Sequence, residues 1–226
     1  MSTFTLSNPN RTIHAGVILL GHMEVLDVAP IDLLHNMGKR FMEMLPVSED
    51  IKAKAYDIET HWVTEKGAPA RLSANMTLQA TDSFDSCPRL DIVLIGAWLP
   101  SYTPNEAELA FIRKSHEDCS AFLTICGGFT AAQMTGLLDG KMATAPRFMI
   151  PMLKEQHPRT TWVDKRVVRD GKIWTSGALL NGLDLMREFV KETWPEIASV
   201  VVPLGGWPVR GLEYHGTDGM PVPMEF

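Results

Sequence analysis

Short, almost wholly apolar segments that alternate with helix-like segments constrain this fold more than any other feature of the sequence. A strand with one exposed face would alternate apolar and polar residues, and residues 15–20 and 121–125 do not. Such segments indicate strands buried on both faces, and their alternation with helices predicts a mainly parallel sheet with helices on both sides. The predicted strands are residues 15–20, 56–64, 90–94 and 121–125, and the predicted helices are residues 32–44, 104–117, 129–138 and 183–193.

A hairpin and the two ends of the chain complete this organisation. Residues 162–168 and 173–176, which flank a turn at Asp170-Gly171, are typical of a β-hairpin. The chain has no internal repeat or low-complexity linker, so a single folded domain is expected. We predict an N-terminal tail at residues 1–12, the domain at residues 13–194 and a Pro-rich C-terminal extension at residues 195–226. From residue 201 onward we expect an irregular tail that packs on the surface or on a partner.

Composition and charge exclude several functional classes. The 226 residues include 21 Lys and Arg against 27 Asp and Glu, with no basic run, which argues against a nucleic-acid partner. The apolar runs are far shorter than the roughly 20 residues that cross a bilayer, so no membrane association is expected. The N-terminus has no secretory pattern, which favours a cytoplasmic location. These features leave a small-molecule substrate as the expected partner.

Cys126 lies where the sequence passes from a buried strand through two glycines into a helix. A nucleophile at such a sharp turn needs small neighbours, and Gly127 and Gly128 supply them. The N-terminal end of the following helix favours a thiolate and is expected to lower the pKa of the thiol. The amide of Gly127 could stabilise an oxyanion. The alternative is a buried, unreactive cysteine at the end of a strand.

Two further segments follow predicted strands and therefore open onto the same edge of the sheet. Gly96-Ala97 ends the strand at residues 90–94, and its small residues let a backbone amide approach a substrate oxygen; the alternative is a plain turn. Asp27, with Glu24 as the alternative acid, follows the first strand and could serve as general acid or base. Asp27 could equally cap the helix that follows it.

The remaining motifs give no support for a cofactor or a metal. None of the seven histidines shows the spacing of a metal-binding motif, and His14 is isolated in the sequence. The chain lacks a glycine-rich nucleotide loop after a strand. Cys87 and Cys119 form no paired motif with Cys126, so free thiols are expected. We therefore predict no cofactor and no metal ion.

The ordered set of these segments resembles the ThiJ/PfpI family of the class I glutamine amidotransferase-like superfamily, over about residues 13–194. The segments that carry the resemblance are residues 17–30, 91–97, 125–128, 136–144 and 168–177. Residues 26–30 and 181–185 are most similar to the isonitrile hydratase-like subgroup. The resemblance implies a single-domain flavodoxin-like sandwich with a cysteine nucleophile elbow, and a homodimer.

The resemblance also implies an activity and its site residues. In the isonitrile hydratase-like subgroup the elbow cysteine, here Cys126, attacks the substrate carbon, and an acid of the first loop, here Asp27, assists. We expect Gly96, Ala97 and Gly127 to bind the substrate or hold developing negative charge. The alternatives are a related tailoring step on a secondary metabolite, a glyoxalase or deglycase acting on dicarbonyls, and a non-enzymatic redox-sensing or chaperone-like dimer. Arg147 follows the Ala-Thr segment at 143–144, where many relatives carry a histidine.

Overall fold

The computed structural model describes residues 4–215 and shows the predicted alternation of strands and helices. The strands are β1 (Ile13–Ile18), β2 (His22–Met23), β3 (Ile58–Thr64), β4 (Ala70–Leu72), β5 (Met76–Leu78), β6 (Asp82–Ser83), β7 (Ile92–Ile95), β8 (Ala121–Thr124), β9 (Met142–Ala143), β10 (Thr161–Trp162), β11 (Val167–Asp170) and β12 (Ile173–Ser176). The α-helices are α1 (Val25–Val28), α2 (Asp32–Asn36), α3 (Lys39–Met42), α4 (Glu49–Lys52), α5 (Glu106–Asp118), α6 (Phe129–Met134), α7 (Ile150–Gln156), α8 (Asn181–Thr193) and α9 (Pro195–Leu204). Short 3-10 turns cover Ala29–Ile31, Cys126–Gly128 and Arg147–Met149.

The central sheet confirms the predicted α/β class. Within residues 4–215 it has seven strands in the order β11-β12-β8-β7-β1-β3-β6. Every neighbouring pair is parallel except β11 and β12, which form an antiparallel hairpin. β7 and β8 are buried along their whole length, as their apolar sequences predict. Helices flank the sheet, with α2, α8 and α9 packed on one another and α5 packed on α6.

The register of the sheet determines which loops lie close to one another. Ala15 of β1 pairs with Ile92 of β7, and Ile92 pairs with Ala121 of β8. Because these strands are parallel, the segments after β1, β7 and β8 leave the sheet at the same edge. This edge contains the residues that the sequence predicts to be functional.

Most predicted elements differ from the observed ones by a few residues at their ends, and three are interrupted, shortened or divided. The predicted helix at residues 32–44 is interrupted at Gly38, whose extended backbone bridges to Tyr56 and separates α2 from α3. The predicted helix at residues 129–138 ends early, because the Thr135 hydroxyl bonds back to the Ala131 carbonyl and Gly136 has a left-handed φ of 75°. The predicted strand at residues 162–168 is divided between two sheets: Trp162 pairs with Ala143, and only Val167 onward joins the hairpin.

The predicted irregular tail is also partly wrong. Residues Pro195–Leu204 form α9. Pro195 suits the first position, because the backbone amide there has no hydrogen-bond partner within a helix and proline lacks that N–H. Ile197, Ala198, Val201 and Val202 bury one face of this helix. Beyond it, the chain to residue 215 packs on the domain, and the rest of the extension lies outside the described residues. Across residues 4–215, no helix has both the length and the apolar character to span a bilayer.

Candidate active site

A strained strand-to-helix turn places Cys126 at the edge where the parallel strands end. β8 ends at Thr124, Ile125 continues in extended conformation, and Cys126 then takes a left-handed φ of 54°. Such a conformation costs a residue other than glycine about 1–2 kcal/mol, and strain of this kind is concentrated at functional sites. The chain then turns through the 3-10 segment into α6. The turn that the sequence predicts at Cys126 is therefore present.

Three glycines let the turn close against its neighbours. A Cβ at Gly128 would lie inside van der Waals contact with the carbonyl oxygen of Ile95, at the end of β7. A Cβ at Gly127 would lie 3.1 Å from the Cβ of Ala97, and one at Gly96 would lie 2.7 Å from the Cβ of Asp27. The close approach of these backbones explains why the sequence has glycine at both strand ends.

Asp27 lies in α1 with its carboxyl group fully buried next to the end of β7. Its Oδ2 accepts a 2.8 Å hydrogen bond from the amide of Ala97, while its Oδ1 has no hydrogen-bond partner among the described residues. Burial raises the pKa of this carboxyl to about 7; the Ala97 hydrogen bond opposes the shift and the charge of Glu24 adds to it. The alternative role as a helix cap is wrong, because α1 and the turn after it have no side-chain cap. Asp27 can therefore exchange a proton near neutral pH.

Burial makes the thiol, and not the thiolate, the resting form of Cys126. Desolvation and then the charge of Asp27 raise the pKa of Cys126 to about 12, and Glu24 adds a smaller contribution in the same direction. Hydrogen bonds from the amides of Gly127 and Leu179 act in the opposite direction. The pKa of Cys126 therefore lies above its ordinary value and not below it as expected: the helix that follows, α6, has only six residues, and burial raises the pKa. Protonation of Asp27 would remove the charge repulsion.

Of the two amides that the sequence predicts to bind negative charge, one contacts the sulfur of Cys126 in the structure and the other does not. The amide of Gly127 hydrogen-bonds to Cys126, but the amide of Ala97 is already bonded to Asp27. The second donor to Cys126 is Leu179, which the sequence reasoning missed. The topology of the sheet points to Leu179: it follows β12, which pairs in parallel with β8. The loop after β12 therefore leaves the sheet at the same edge as Cys126. Gly96 packs against Asp27 and positions it.

An apolar groove of about 490 Å³ borders this site. Leu26, the residue before Asp27, and Leu180, the residue after Leu179, both line it. Among the other lining residues, Leu183 of α8 and Trp207 of the C-terminal extension add apolar surface. Leu26 and Leu180 are each about half exposed, so an apolar molecule in the groove would cover them. The groove therefore offers a binding surface for an apolar substituent next to Cys126.

The C-terminal extension packs against Arg147, which follows the Ala-Thr segment at residues 143–144. Arg147 forms a bidentate ion pair with Asp164, and its guanidinium stacks 4.5 Å from the ring centre of Tyr214. The Tyr214 hydroxyl donates to the side chain of Asn181 at 2.8 Å. Arg166 stacks on the same ring. The extension thus packs beside the Leu179 loop of its own chain.

The structure brings together two histidines that lie far apart in the sequence. His14, isolated in the sequence, lies beside His61, with Nδ1 and Nε2 separated by 3.0 Å. Glu59 completes a group of three potential metal ligands. This group lies on β1 and β3, away from the edge that carries Cys126.

Comparisons with known proteins agree with this architecture. The model of the DJ-1/PfpI family matches residues 33–192. An isonitrile hydratase of Pseudomonas putida is 30% identical over 148 residues, which is 63% of this chain and 63% of the relative, so the match spans less than two thirds of that protein. A ThiJ/PfpI family protein from Pseudomonas syringae superposes with a TM-score of 0.70 at 18% identity, covering 93% of this chain and 82% of that one. Drosophila melanogaster DJ-1beta gives 0.68 at 17% identity, covering 88% of this chain and 100% of that one. These two structures establish the fold alone.

Proposed function

Because this chain belongs to the DJ-1/PfpI family, we propose that it is a cysteine-dependent hydratase that converts an isonitrile into an N-substituted formamide. The sequence similarity to an isonitrile hydratase supports the reaction class. The observation that carries the proposal is the pair formed by Cys126 and the buried Asp27, whose carboxyl has a pKa of about 7 and one oxygen with no partner in residues 4–215. An acid of this kind can deliver a proton to a carbon next to the sulfur.

The first step joins the sulfur of Cys126 to the terminal carbon of the isonitrile. As the carbon–sulfur bond forms, the thiol proton moves through Asp27 to that carbon, which gives a neutral thioimidate on the cysteine. The amides of Gly127 and Leu179 stabilise negative charge on the sulfur while the proton is in transit. Asp27 returns to its starting protonation state, so the carboxyl acts as a relay.

The second step consumes one water molecule. Water adds to the thioimidate carbon, with Asp27 accepting a proton, and the carbon–sulfur bond then breaks. One water proton ends on the substrate nitrogen, the other restores the Cys126 thiol, and the oxygen becomes the formamide carbonyl. The net reaction is the addition of water to the isonitrile, and it requires no cofactor.

The groove beside the site indicates which isonitriles would bind. Leu26, Leu180 and Trp207 present apolar surface, and the formamide product keeps the same substituent as the substrate. We therefore expect isonitriles with an apolar alkyl or aryl group to react with a lower KM than those with a charged group.

The direct test is formamide formation from a cyclohexyl isonitrile, followed by proton NMR. Cys126→Ala should abolish turnover, and Asp27→Asn should lower kcat by about 100-fold or more, the usual contribution of general acid–base catalysis. Glu24→Gln should have a smaller effect, because its carboxylate acts only through charge. Asp50→Asn, which changes an exposed acid of α4 that lies outside the groove, is the matched control and should leave kcat unchanged.

Three results would overturn the proposal. Formamide production that survives Cys126→Ala would show that the cysteine is not the nucleophile. Lactate production from methylglyoxal, with no formamide from several isonitriles, would assign the site to dicarbonyl chemistry. An absence of both products, with Cys126 oxidised in the recovered protein, would favour the redox-sensing alternative.

A further inference from the structure

Three side chains on adjacent strands form a compact group that the proposed hydratase chemistry does not use. His14 of β1 is the register partner of Glu59 of β3, and Gly16 of β1 is the partner of His61. Side chains two residues apart on a strand point to the same face, as do those of register partners. His14, Glu59 and His61 therefore share one face of the sheet, although the two histidines are 47 residues apart in sequence.

The distances among the three ligand atoms suit one small cation. The Nδ1 of His14 lies 3.0 Å from the Nε2 of His61 and 3.7 Å from a carboxylate oxygen of Glu59. All three atoms lie within 4.8 Å of one another. Ligand atoms around a tetrahedral zinc ion are separated by about 3.4 Å, given bonds of about 2.1 Å. The two shorter distances bracket that separation.

A partly buried carboxylate holds His61 in the orientation that a metal ligand needs. The Nδ1 of His61 lies 2.9 Å from Oδ2 of Asp82, which also accepts a 2.6 Å hydrogen bond from the hydroxyl of Thr81. With Nδ1 of His61 donating to this carboxylate, the lone pair of Nε2 is directed at His14. A carboxylate behind a histidine in this way is the usual outer support of a metal ligand.

From this arrangement we propose that His14, Glu59 and His61 bind a divalent transition metal ion of the zinc class, with Asp82 as the outer support of His61. Imidazole nitrogen with carboxylate oxygen is a donor set that zinc accepts. The ion would replace the proton that now lies between the two histidines. The side chain of His61 is only 8% exposed and that of Glu59 is 61% exposed, so the ion would enter from the Glu59 side and keep a solvent ligand there.

The site is separate from the candidate active site. In the register of the sheet His14 is level with the start of β7 and β8, whereas Cys126 lies beyond their ends. Six residues of strand separate the two levels, or roughly 20 Å. A metal ion here would tie β1 to β3 and, through Asp82, to β6. Its expected role is to stabilise this side of the sheet.

The test is calorimetric titration of Zn²⁺ into the full chain after treatment with a chelator. The wild type should bind one equivalent, and Cys126→Ala should bind the same amount, because the proposed catalytic cysteine is not a ligand. His14→Gln and Glu59→Gln should weaken binding by about 100-fold or more, and Asp82→Asn by about 10–100-fold, as expected for an outer support. His35→Gln, which changes an exposed histidine elsewhere, is the matched control.

Thermal unfolding supplies an independent measurement. Zn²⁺ should raise the Tm of the wild type and of His35→Gln, and should leave that of His14→Gln unchanged. His14 is partly exposed, so its replacement by glutamine should leave the fold intact. Two outcomes would overturn the proposal: no uptake by the wild type at micromolar Zn²⁺, or equal uptake by the wild type and His14→Gln. Either would show that the histidines form only a hydrogen-bonded pair.

Discussion

Replacing Asp27 with asparagine should stabilise the folded protein at alkaline pH and change its stability much less at acidic pH. The carboxyl group is fully buried, its Oδ1 has no hydrogen-bond partner among the described residues, and one amide bonds to its Oδ2. Asparagine has nearly the same shape and keeps a carbonyl oxygen for the amide of Ala97. The substitution therefore removes the buried charge with little loss of packing.

The magnitude follows from the difference in pKa between the two states. The carboxyl titrates at 3.8 when unfolded and at about 7 when folded, so the folded state holds the proton more tightly. Stability is then highest below the unfolded pKa, falls as the pH rises from 3.8 to about 7, and is constant above that. Each pKa unit equals about 1.4 kcal/mol, so the full loss is at most about 4 kcal/mol.

Urea unfolding at two pH values measures this loss. Linkage gives a penalty of about 2 kcal/mol at pH 5 and of about 4 kcal/mol at pH 8.5, so the advantage of Asp27→Asn should grow by roughly 2 kcal/mol between them. The thiol of Cys126 stays protonated throughout, because its pKa is about 12. His116, whose pKa burial lowers to about 4, titrates alike in both proteins and cancels.

The control is Asp32→Asn, which removes an exposed carboxylate from the adjacent helix and should show no such growth with pH. An advantage of Asp27→Asn that is constant with pH would mean that Asp27 has an ordinary pKa in the folded state. A wild type that is more stable than the variant at pH 8.5 would mean that the fold stabilises the carboxylate. Either result would also remove the acid on which the proposed hydratase reaction depends.

Two further predictions concern the turn at Cys126. Asp27→Asn should speed alkylation of Cys126 by iodoacetamide at pH 8, because it removes a negative charge that raises the pKa of the thiol. Mass spectrometry measures the rate, with Cys87 as internal control. A ratio of the Cys126 rate to the Cys87 rate that is the same in the wild type and the variant would contradict the charge coupling. Gly128→Ala should cost about 3 kcal/mol in urea unfolding, because its Cβ would clash with the Ile95 carbonyl oxygen. Gly211→Ala, with open space around the added methyl group, is its control, and an equal small effect in both would refute the packing argument.

The fold was predictable because its signal is local. The central strands β7 and β8 appear in the sequence as short apolar segments, and their alternation with helical segments predicts both the parallel pairing and the helix layers. The errors lie at element ends, where one or two hydrogen bonds decide the outcome. At Gly38 a β-bridge to Tyr56 replaces a helical turn. The spacing of apolar residues across 32–44 gives no sign of this break. The sequence does not predict helix α9, because the prolines of this region are typical of irregular structure. Pro195, however, stands at the first position of the helix, where proline is common.

The candidate site was predictable only as a set of neighbouring loops, because the roles within it depend on competition for hydrogen bonds. The sequence places Asp27, Ala97 and Cys126 at one edge of the sheet, but nothing local shows that the amide of Ala97 bonds to Asp27 and not to a substrate. Once that amide is occupied, the second donor to the sulfur must come from another loop, and the parallel pairing of β12 with β8 makes Leu179 that donor. The same bond leaves one oxygen of Asp27 unpartnered, and that oxygen is the one available to carry a proton. The amide that seemed part of the anion site therefore positions the acid.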